Sequence, residues 1–235
     1  LARCLHFDRA IKKIPIVVGD GYGFFTSRVF SAYILEGAQL VAEGYDPTVI
    51  DWAARVAGMV VGPLQVFDEV TLQLGVHAMS EARRYHDQPE IAGAQLVQRL
   101  VEAGRKGKAH GAGFYDYEGG RRRSIWSGLA DFVGVEPQPS DVQAIGRRLI
   151  LAQIAEVGRA LDDGIIHQWR DAEVGAIFGI GFAPNTGGPL AYMDRIGMAT
   201  LVETLERLAA DHGQRYAPSA FLKQRAASGE RFFEE

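Results

Sequence analysis

The chain has 235 residues, of which 47% are hydrophobic and 23% charged, a composition typical of a globular protein with a buried core. The formal net charge is -4, and the basic run Arg121–Arg123 follows a Gly-Gly turn, so we expect no nucleic-acid binding. No apolar run approaches the roughly 18 to 20 residues of a membrane-spanning helix, so we expect no membrane span. The single cysteine, Cys4, excludes an intramolecular disulfide and favours a reducing compartment such as the cytoplasm.

The first 20 residues read as the end of an α/β unit and a connector. Residues 1–13 predict a helix, and the β-branched run Ile14–Val18 predicts a short strand. The first residue is Leu rather than Met, so we expect the chain to be part of a longer protein. A second strand is predicted at Gly113–Tyr117, but two short strands do not make a sheet-based core. The predicted fold class is all-α.

Helix signals dominate the rest of the chain. A helix is predicted from near Phe24, and Asp46-Pro47 opens another that ends at Gly58, because aspartate caps a helix and proline fits its first turn. Ser140 and Gln143 form a capping box before a third helix. The apolar residues at helical spacing are Val29, Phe30, Tyr33, Ile34, Ala38, Leu40 and Val41 in the first helix, and Leu149, Ile150, Ile154, Val157 and Leu161 in the third.

The sequence contains an internal duplication. Four residues of the first half recur 120 residues later with the same spacings: Arg28, Glu36, Gly44 and Asp51 match Arg148, Glu156, Gly164 and Asp171. The match continues at a distance of 126 residues, because about six residues are inserted around Gly181–Asn185. Gly62-Pro63 and Asp68 then match Gly188-Pro189 and Asp194, and the aromatic pairs Phe114-Tyr115 and Phe232-Phe233 end the two copies. We therefore predict two helical repeats, at residues 21–125 and 138–235, with a boundary between Glu118 and Ser140.

A glycine-rich turn, Gly19–Gly23, lies between Ile14–Val18 and the first long helix. This order is similar to the G-x-G-x-x-G turn that places a pyrophosphate on a helix N-terminus. Phe24 occupies the third glycine position, and no second strand with an acidic end follows, so we predict a plain turn and no cofactor site on this chain. Thr26 and Ser27 lie at the helix start, where their side chains either cap the helix or bind a carbonyl or phosphate group.

Other polar groups give weaker signals. Asp68 and Asp194 occupy matching places, and a repeated aspartate is more typical of a helix cap than of an acid–base pair. Lys106, Lys108 and His110 precede a predicted strand and only weakly indicate an anionic ligand. The histidines show no spacing typical of metal ligands, so we expect no metal site. They are His6, His77, His86, His110, His167 and His212.

Several motifs lie in a familiar order. Residues 16–28 are similar to a V-V-x-D-x-P-G-F-x-x-N-R signature, and later motifs match at Gly62–Asp68, Gly107–Tyr115 and 163–194. Together they resemble the C-terminal region of the 3-hydroxyacyl-CoA dehydrogenase family, of the type in the α subunit of the multifunctional fatty-acid oxidation complex. The implied fold is the duplicated helical domain that this family shares with 6-phosphogluconate dehydrogenase.

The resemblance implies a function for the parent protein. It implies an NAD-dependent enzyme that oxidises the 3-hydroxyl of an acyl-CoA in fatty-acid β-oxidation. NAD and the catalytic His/Glu pair belong to a nucleotide-binding domain outside this chain, so the chain alone is expected to be inactive and to hold no catalytic residue. The implied partners are that domain, the acyl-CoA substrate, a second copy of the chain and a thiolase subunit.

The signature also implies the substrate side. Phe24, Ser27 and Arg28 fall nearest to the substrate, and Ser27 stands where the family has a substrate-contacting asparagine. Loss of a polar contact at developing charge can cost about 3 to 4 kcal/mol of barrier. A second hypothesis is therefore a non-catalytic helical scaffold or interaction module that kept the fold, which the changes at Ser27 and Gln73 would permit. Acyl-CoA binding distinguishes the two hypotheses.

Overall fold

A computed structural model describes residues 1–85 and 90–233, so His86 and the last two residues of the predicted second repeat lie outside the described residues. The described chain is helical apart from one small hairpin, which confirms the all-α fold class. The helices are α1 (Ala2–Ala10), α2 (Thr26–Ala42), α3 (Pro47–Val56), α4 (Pro63–Val70), α5 (Leu72–Ala82), α6 (Ala92–Glu102), α7 (Leu129–Val133), α8 (Val142–Asp162), α9 (Trp169–Val174), α10 (Pro189–Ile196), α11 (Met198–His212) and α12 (Ala220–Ser228). The hairpin pairs β1 (Tyr115–Glu118) with β2 (Arg121–Ile125).

Helices α2 and α8 form the centre of the molecule. Both bury an apolar stripe, and they pack against each other. Helices α4 and α6 pack on α2, and α12 packs on α8. The approach of α6 to α2 requires Gly93, because a Cβ atom there would lie 2.4 Å from the backbone nitrogen of Gln39. The α2–α8 contact is therefore the axis around which the other helices are arranged.

The predicted helix boundaries are largely confirmed. The Asp46 carboxylate accepts hydrogen bonds from the backbone N–H groups of Thr48 and Val49 at the start of α3. The capping box predicted at Ser140 is wrong, because the N-cap of α8 is Asp141, whose carboxylate accepts from the N–H groups of Gln143 and Ala144. Serine and aspartate are both good N-caps, so the sequence did not separate these neighbours.

The strand predicted at Ile14–Val18 is also wrong. This segment forms only an isolated bridge between Val18 and Ile166, and the next N–H, on Gly19, donates to the carbonyl of Ile165. The preceding helix α1, which was predicted, buries none of its residues against the described chain. Residues 14–20 thus contact both the loop after α8 and α9, where the N–H of Val17 donates to the Asp171 carboxylate.

The segment between Glu118 and Ser140 is more ordered than the predicted boundary suggests. It contains β2 and α7, and Arg121–Arg123 lies in β2 rather than in a turn. The strand predicted at Gly113–Tyr117 is present as β1, shifted toward its C-terminal end. Gly119 and Gly120 make the hairpin turn with positive φ angles of 55° and 74°. None of the described helices is long and apolar enough to cross a bilayer.

Candidate functional site

The turn before α2 presents Phe24 to solvent, and Ser27 is exposed in the first turn of α2. Gly23 and Phe24 have positive φ angles of 70° and 48°, which turn the chain sharply into the helix. Phe24 is 53% exposed, whereas Phe25, the N-cap residue, is fully buried. No side chain caps this end of α2, so Thr26 and Ser27 do not fill the capping role that was one of their two predicted roles.

Ser27 lines an open cleft of about 460 Å³, called here the Ser27 cleft. One wall is the first turns of α2, a second is α4 with the segment before it, and a third is the segment Gly179–Gly181. The large apolar side chains on these walls are Phe30, Val60, Val66, Val70 and Ile180. Phe24 and Arg28 do not line this cleft, so of the three predicted substrate residues only Ser27 is part of it.

The third wall follows an irregular helix end. After α9, residues Gly175–Gly179 continue as one turn of π-helix, a geometry that is frequent at functional sites. A Cβ atom at Gly175 would lie 2.7 Å from Ile16 Cδ1 and 3.3 Å from Thr26 Cγ2, so glycine permits the close approach to α2. Nothing local in the sequence indicates that residues 179–181 return to the start of α2, so this wall was not predicted.

The Arg28 side chain is held by carboxylates of the second half of the chain. Its Nε lies 2.6 Å from Glu156 Oε1, and its Nη1 lies 2.7 Å from Asp163 Oδ2. Burial lowers the pKa of Arg28, but Glu156 and Asp163 outweigh burial and leave the pKa raised. Only 7% of the side chain is exposed, so its donors serve the α2–α8 contact, and its predicted substrate contact stays a prediction.

Arg148, 120 residues after Arg28, pairs in turn with carboxylates of the first half of the chain. Arg148 binds Glu36 through Nε and Nη2 and lies 2.7 Å from Glu43 Oε2 through Nη1. Arg28 thus pairs with Glu156 and Asp163, while Arg148 pairs with Glu36 and Glu43. Glu43 and Asp163 were absent from the predicted repeat, although each precedes one of its matched glycines.

Asp68 and Asp194 are not helix caps, which corrects the prediction, and they do not face each other as an acid–base pair. Asp68 accepts hydrogen bonds from the backbone N–H groups of Phe114 and Tyr115, at 2.8 and 2.9 Å. Asp194 accepts in the same way from Phe232 and Phe233. Burial raises the pKa of Asp68 to about 6, which the amide hydrogen bonds only partly offset. Each aspartate therefore anchors one of the two aromatic pairs that the sequence singled out.

Glu173, rather than the predicted Asp171, makes the contacts that correspond to those of Asp51, while Asp171 accepts from the N–H of Val17. Asp51 accepts from the N–H groups at the start of α4, and Glu173 accepts from those at the start of α10. A Cβ atom at Gly62 would lie 2.3 Å from Asp51 Cγ, and one at Gly188 would lie 2.0 Å from Glu173 Oε2. Each glycine is required because a carboxylate packs directly on it.

The turn Gly19–Gly23 does not fit a dinucleotide. A Cβ atom at Gly19 would lie 3.0 Å from the carbonyl oxygen of Gly164, and one at Gly21 would lie 2.6 Å from Ile165 Cδ1. These glycines therefore make room for the loop after α8 rather than for a pyrophosphate. Lys108 pairs with Glu69 at 3.6 Å. Among the described residues, no group of three metal-ligating side chains is found.

The fold and the cleft define the class of protein: a helical domain with an apolar cleft and a polar residue, Ser27, at the first turn of α2. Two solved structures share the fold. They are 3-hydroxybutyryl-CoA dehydrogenase from Escherichia coli K12, with a TM-score of 0.74 and 21% identity over 97% of this chain and 64% of that chain, and the dehydrogenase part of multifunctional enzyme 1 from C. elegans, with a TM-score of 0.68 and 20% identity over 95% and 52%.

Sequence comparison shows which proteins the chain is similar to. Residues 23–117 match the family described as 3-hydroxyacyl-CoA dehydrogenase, C-terminal domain. The fatty acid oxidation complex subunit alpha proteins of Shewanella sp. strains ANA-3 and MR-7 are 38% and 37% identical over 99% of this chain. The chain spans about a third, 34%, of the length of these relatives. The resemblance is thus confirmed: residues 23–117 match the C-terminal domain of 3-hydroxyacyl-CoA dehydrogenase, and almost the whole chain is similar to these relatives.

The pKa of Glu173 predicts a pH dependence of stability. Burial raises this pKa from 4.5 to about 7, so the folded state holds a proton at pH values where the unfolded state has released it. The contribution of this proton to stability is fully present below about pH 4.5 and is lost as the pH rises through about 7. We expect the unfolding free energy of the wild-type protein to fall relative to that of Glu173→Gln over this range.

Urea unfolding of the two proteins at several pH values from about 4.5 to about 8 measures the effect. The glutamine keeps one oxygen that can accept from Ala191 N–H, so the variant tests the titration and not only the contact. A stability difference that does not change with pH would contradict the burial of an ionisable group at this position.

Proposed function

We propose that this chain is the acyl-CoA side of an NAD-dependent 3-hydroxyacyl-CoA dehydrogenase of fatty-acid β-oxidation. The observation that carries the proposal is the position of Ser27, whose hydroxyl lies at an apolar cleft and at the signature position that contacts substrate in the family. The hydroxyl donates a hydrogen bond to an oxygen of the reacting part of the acyl group. The valine-rich walls contact its apolar part and exclude water from the site.

NAD would supply the hydride acceptor, and among the described residues the turn Gly19–Gly23 does not fit a dinucleotide. The nucleotide-binding domain of the parent protein would hold NAD and the proton-transferring pair, so we propose that the chain alone is inactive. The surface of the first 24 residues supports a docked domain, since it exposes large apolar side chains. These are Phe7 (62%), Ile11 (47%), Ile14 (62%) and Phe24 (53%).

We further propose that the helical region arose by duplication, with repeats at residues 21–125 and 138–235. The crossed ion pairs of α2 and α8, and the matched anchoring by Asp68 and Asp194, support this proposal. We also propose that the exposed apolar surface self-associates and that a thiolase subunit is a partner. A cytoplasmic location is consistent with the exposed, unpaired thiol of Cys4.

Filling the Ser27 cleft should weaken acyl-CoA binding. Val60 lines the cleft and is 56% exposed, so Val60→Trp occupies the cleft without burying new volume in the core. We expect wild-type protein to bind acetoacetyl-CoA in isothermal titration calorimetry and Val60→Trp to bind at least about tenfold more weakly. The matched control is Val135→Trp, since Val135 is 46% exposed and does not line the cleft. Its affinity should remain within about twofold of wild type.

The outcomes separate the hypotheses. Equal binding by wild-type protein and Val60→Trp would place the acyl group elsewhere and reject this cleft. No binding of acetoacetyl-CoA by folded wild-type protein would favour the scaffold hypothesis. Circular dichroism of each variant verifies that the helices are retained.

The isolated chain should not reduce acetoacetyl-CoA. Because neither a site for NADH, the hydride donor in this direction, nor the proton-transferring pair is expected on it, the absorbance of NADH should fall no faster with the chain and acetoacetyl-CoA than without the chain. A saturable, protein-dependent oxidation of NADH by the pure 235-residue chain would contradict the proposed division of the enzyme.

A further inference from the structure

A second cleft, of about 370 Å³, lies at the first turns of α8. We call it the Arg147 cleft. Its polar side chains include those of Arg147, Asn185, Tyr192 and Arg195, and Ile150 adds an apolar surface. None of its lining residues lines the Ser27 cleft. The two clefts are therefore separate sites on opposite members of the central helix pair.

The two clefts occupy corresponding positions in the sequence. Arg147 lies 120 residues after Ser27, the same distance that separates Arg148 from Arg28. Tyr192 lies 126 residues after Val66, the distance that separates Pro189 from Pro63 at the starts of α10 and α4. The Arg147 cleft is thus the counterpart of the Ser27 cleft, with arginine in place of serine and tyrosine in place of valine.

The charges of this cleft are not neutralised within the described part of the chain. Arg147 and Arg195 are exposed and form no ion pair there, in contrast to Arg28 and Arg148. Arg147 Nη2 lies 3.5 Å from the neutral Thr204 Oγ1, and the Arg195 guanidinium lies 5.5 Å from the centre of the Tyr192 ring. Burial raises the pKa of Tyr192, and both arginines oppose that rise, so the fields of both cations reach its hydroxyl.

We propose that the Arg147 cleft binds a phosphate group between the guanidinium groups of Arg147 and Arg195. A guanidinium presents N–H donors in a planar fork that matches two phosphate oxygens, and a phosphate group can pair with two cations at once. The Tyr192 hydroxyl, which makes no hydrogen bond to another described residue, adds a donor. The volume of the cleft exceeds that of a phosphate group, so the rest of a phosphorylated molecule can enter.

The test uses two probes and the full 235-residue chain. Inorganic phosphate and adenosine 3′,5′-bisphosphate are titrated separately by calorimetry at low ionic strength. We expect Arg147→Ser and Arg195→Ser each to weaken binding of the better probe by about tenfold, as expected for loss of a charge-assisted contact. Arg147→Ser recreates the residue of the other cleft. The matched control is Arg121→Ser, an exposed arginine of β2 outside the cleft, which should bind as wild type does.

The arms distinguish the source of the phosphate and the failure of each proposal. If both probes bind and the arginine variants weaken both, the cleft recognises the phosphate group itself. If only the bisphosphate binds and the arginine variants weaken it, the cleft recognises a phosphorylated nucleotide. Absence of binding for both probes, or binding unchanged in Arg147→Ser and Arg195→Ser, overturns the proposal. Val60→Trp should retain phosphate binding, so the phosphate proposal can be tested even if the acyl-CoA proposal fails.

Discussion

Buried ion pairs hold α2 against α8, and each helix supplies an arginine that pairs with carboxylates toward the C-terminal end of the other. A buried guanidinium is costly unless carboxylates pair with it, and here Arg28 and Arg148 each contact two carboxylates. A shift of one helix along the other by a single turn would leave these charges buried without partners. The pairs therefore fix the relative register of the two helices, whereas the apolar stripe between them would tolerate more than one register.

The register of α2 and α8 also determines where the two clefts lie. Ser27 directly precedes Arg28, and Arg147 directly precedes Arg148, so each cleft residue is one position from a fixed arginine. The paired arginines are buried and serve the contact, while their neighbours face a cleft. One pair of helices therefore carries different chemistry at its two ends: a hydroxyl beside apolar walls at one end, and at the other two arginines that form no ion pair with another described residue.

The sequence predicts elements with local signals well and contacts between distant segments poorly. The stripes of α2 and α8 and the cap at Asp46 follow from spacing and residue type alone. Ile14–Val18 has strand propensity but forms only one β-bridge. Propensity alone does not indicate whether a partner strand is present. The match of Asp51 to Asp171 followed equal spacing, whereas the structure places Glu173 at the equivalent helix start. Ser27 was identified through the resemblance, but the far walls of its cleft come from residues remote in sequence.

A double-mutant cycle on Arg148 and Glu36 tests most directly whether buried ion pairs hold the α2–α8 contact. Urea unfolding of Arg148→Met, Glu36→Gln and the double variant gives the coupling free energy. Each single change should cost about 1 to 3 kcal/mol, because Glu36 still pairs with Arg215 and Arg148 with Glu43. The double change should cost less than the sum of the single changes by at least about 1 kcal/mol. The exposed pair Lys223–Glu206, at 3.3 Å, is the control and should couple by less than about 1 kcal/mol. Additive costs at Arg148 and Glu36 would contradict a role for this ion pair in holding the α2–α8 contact.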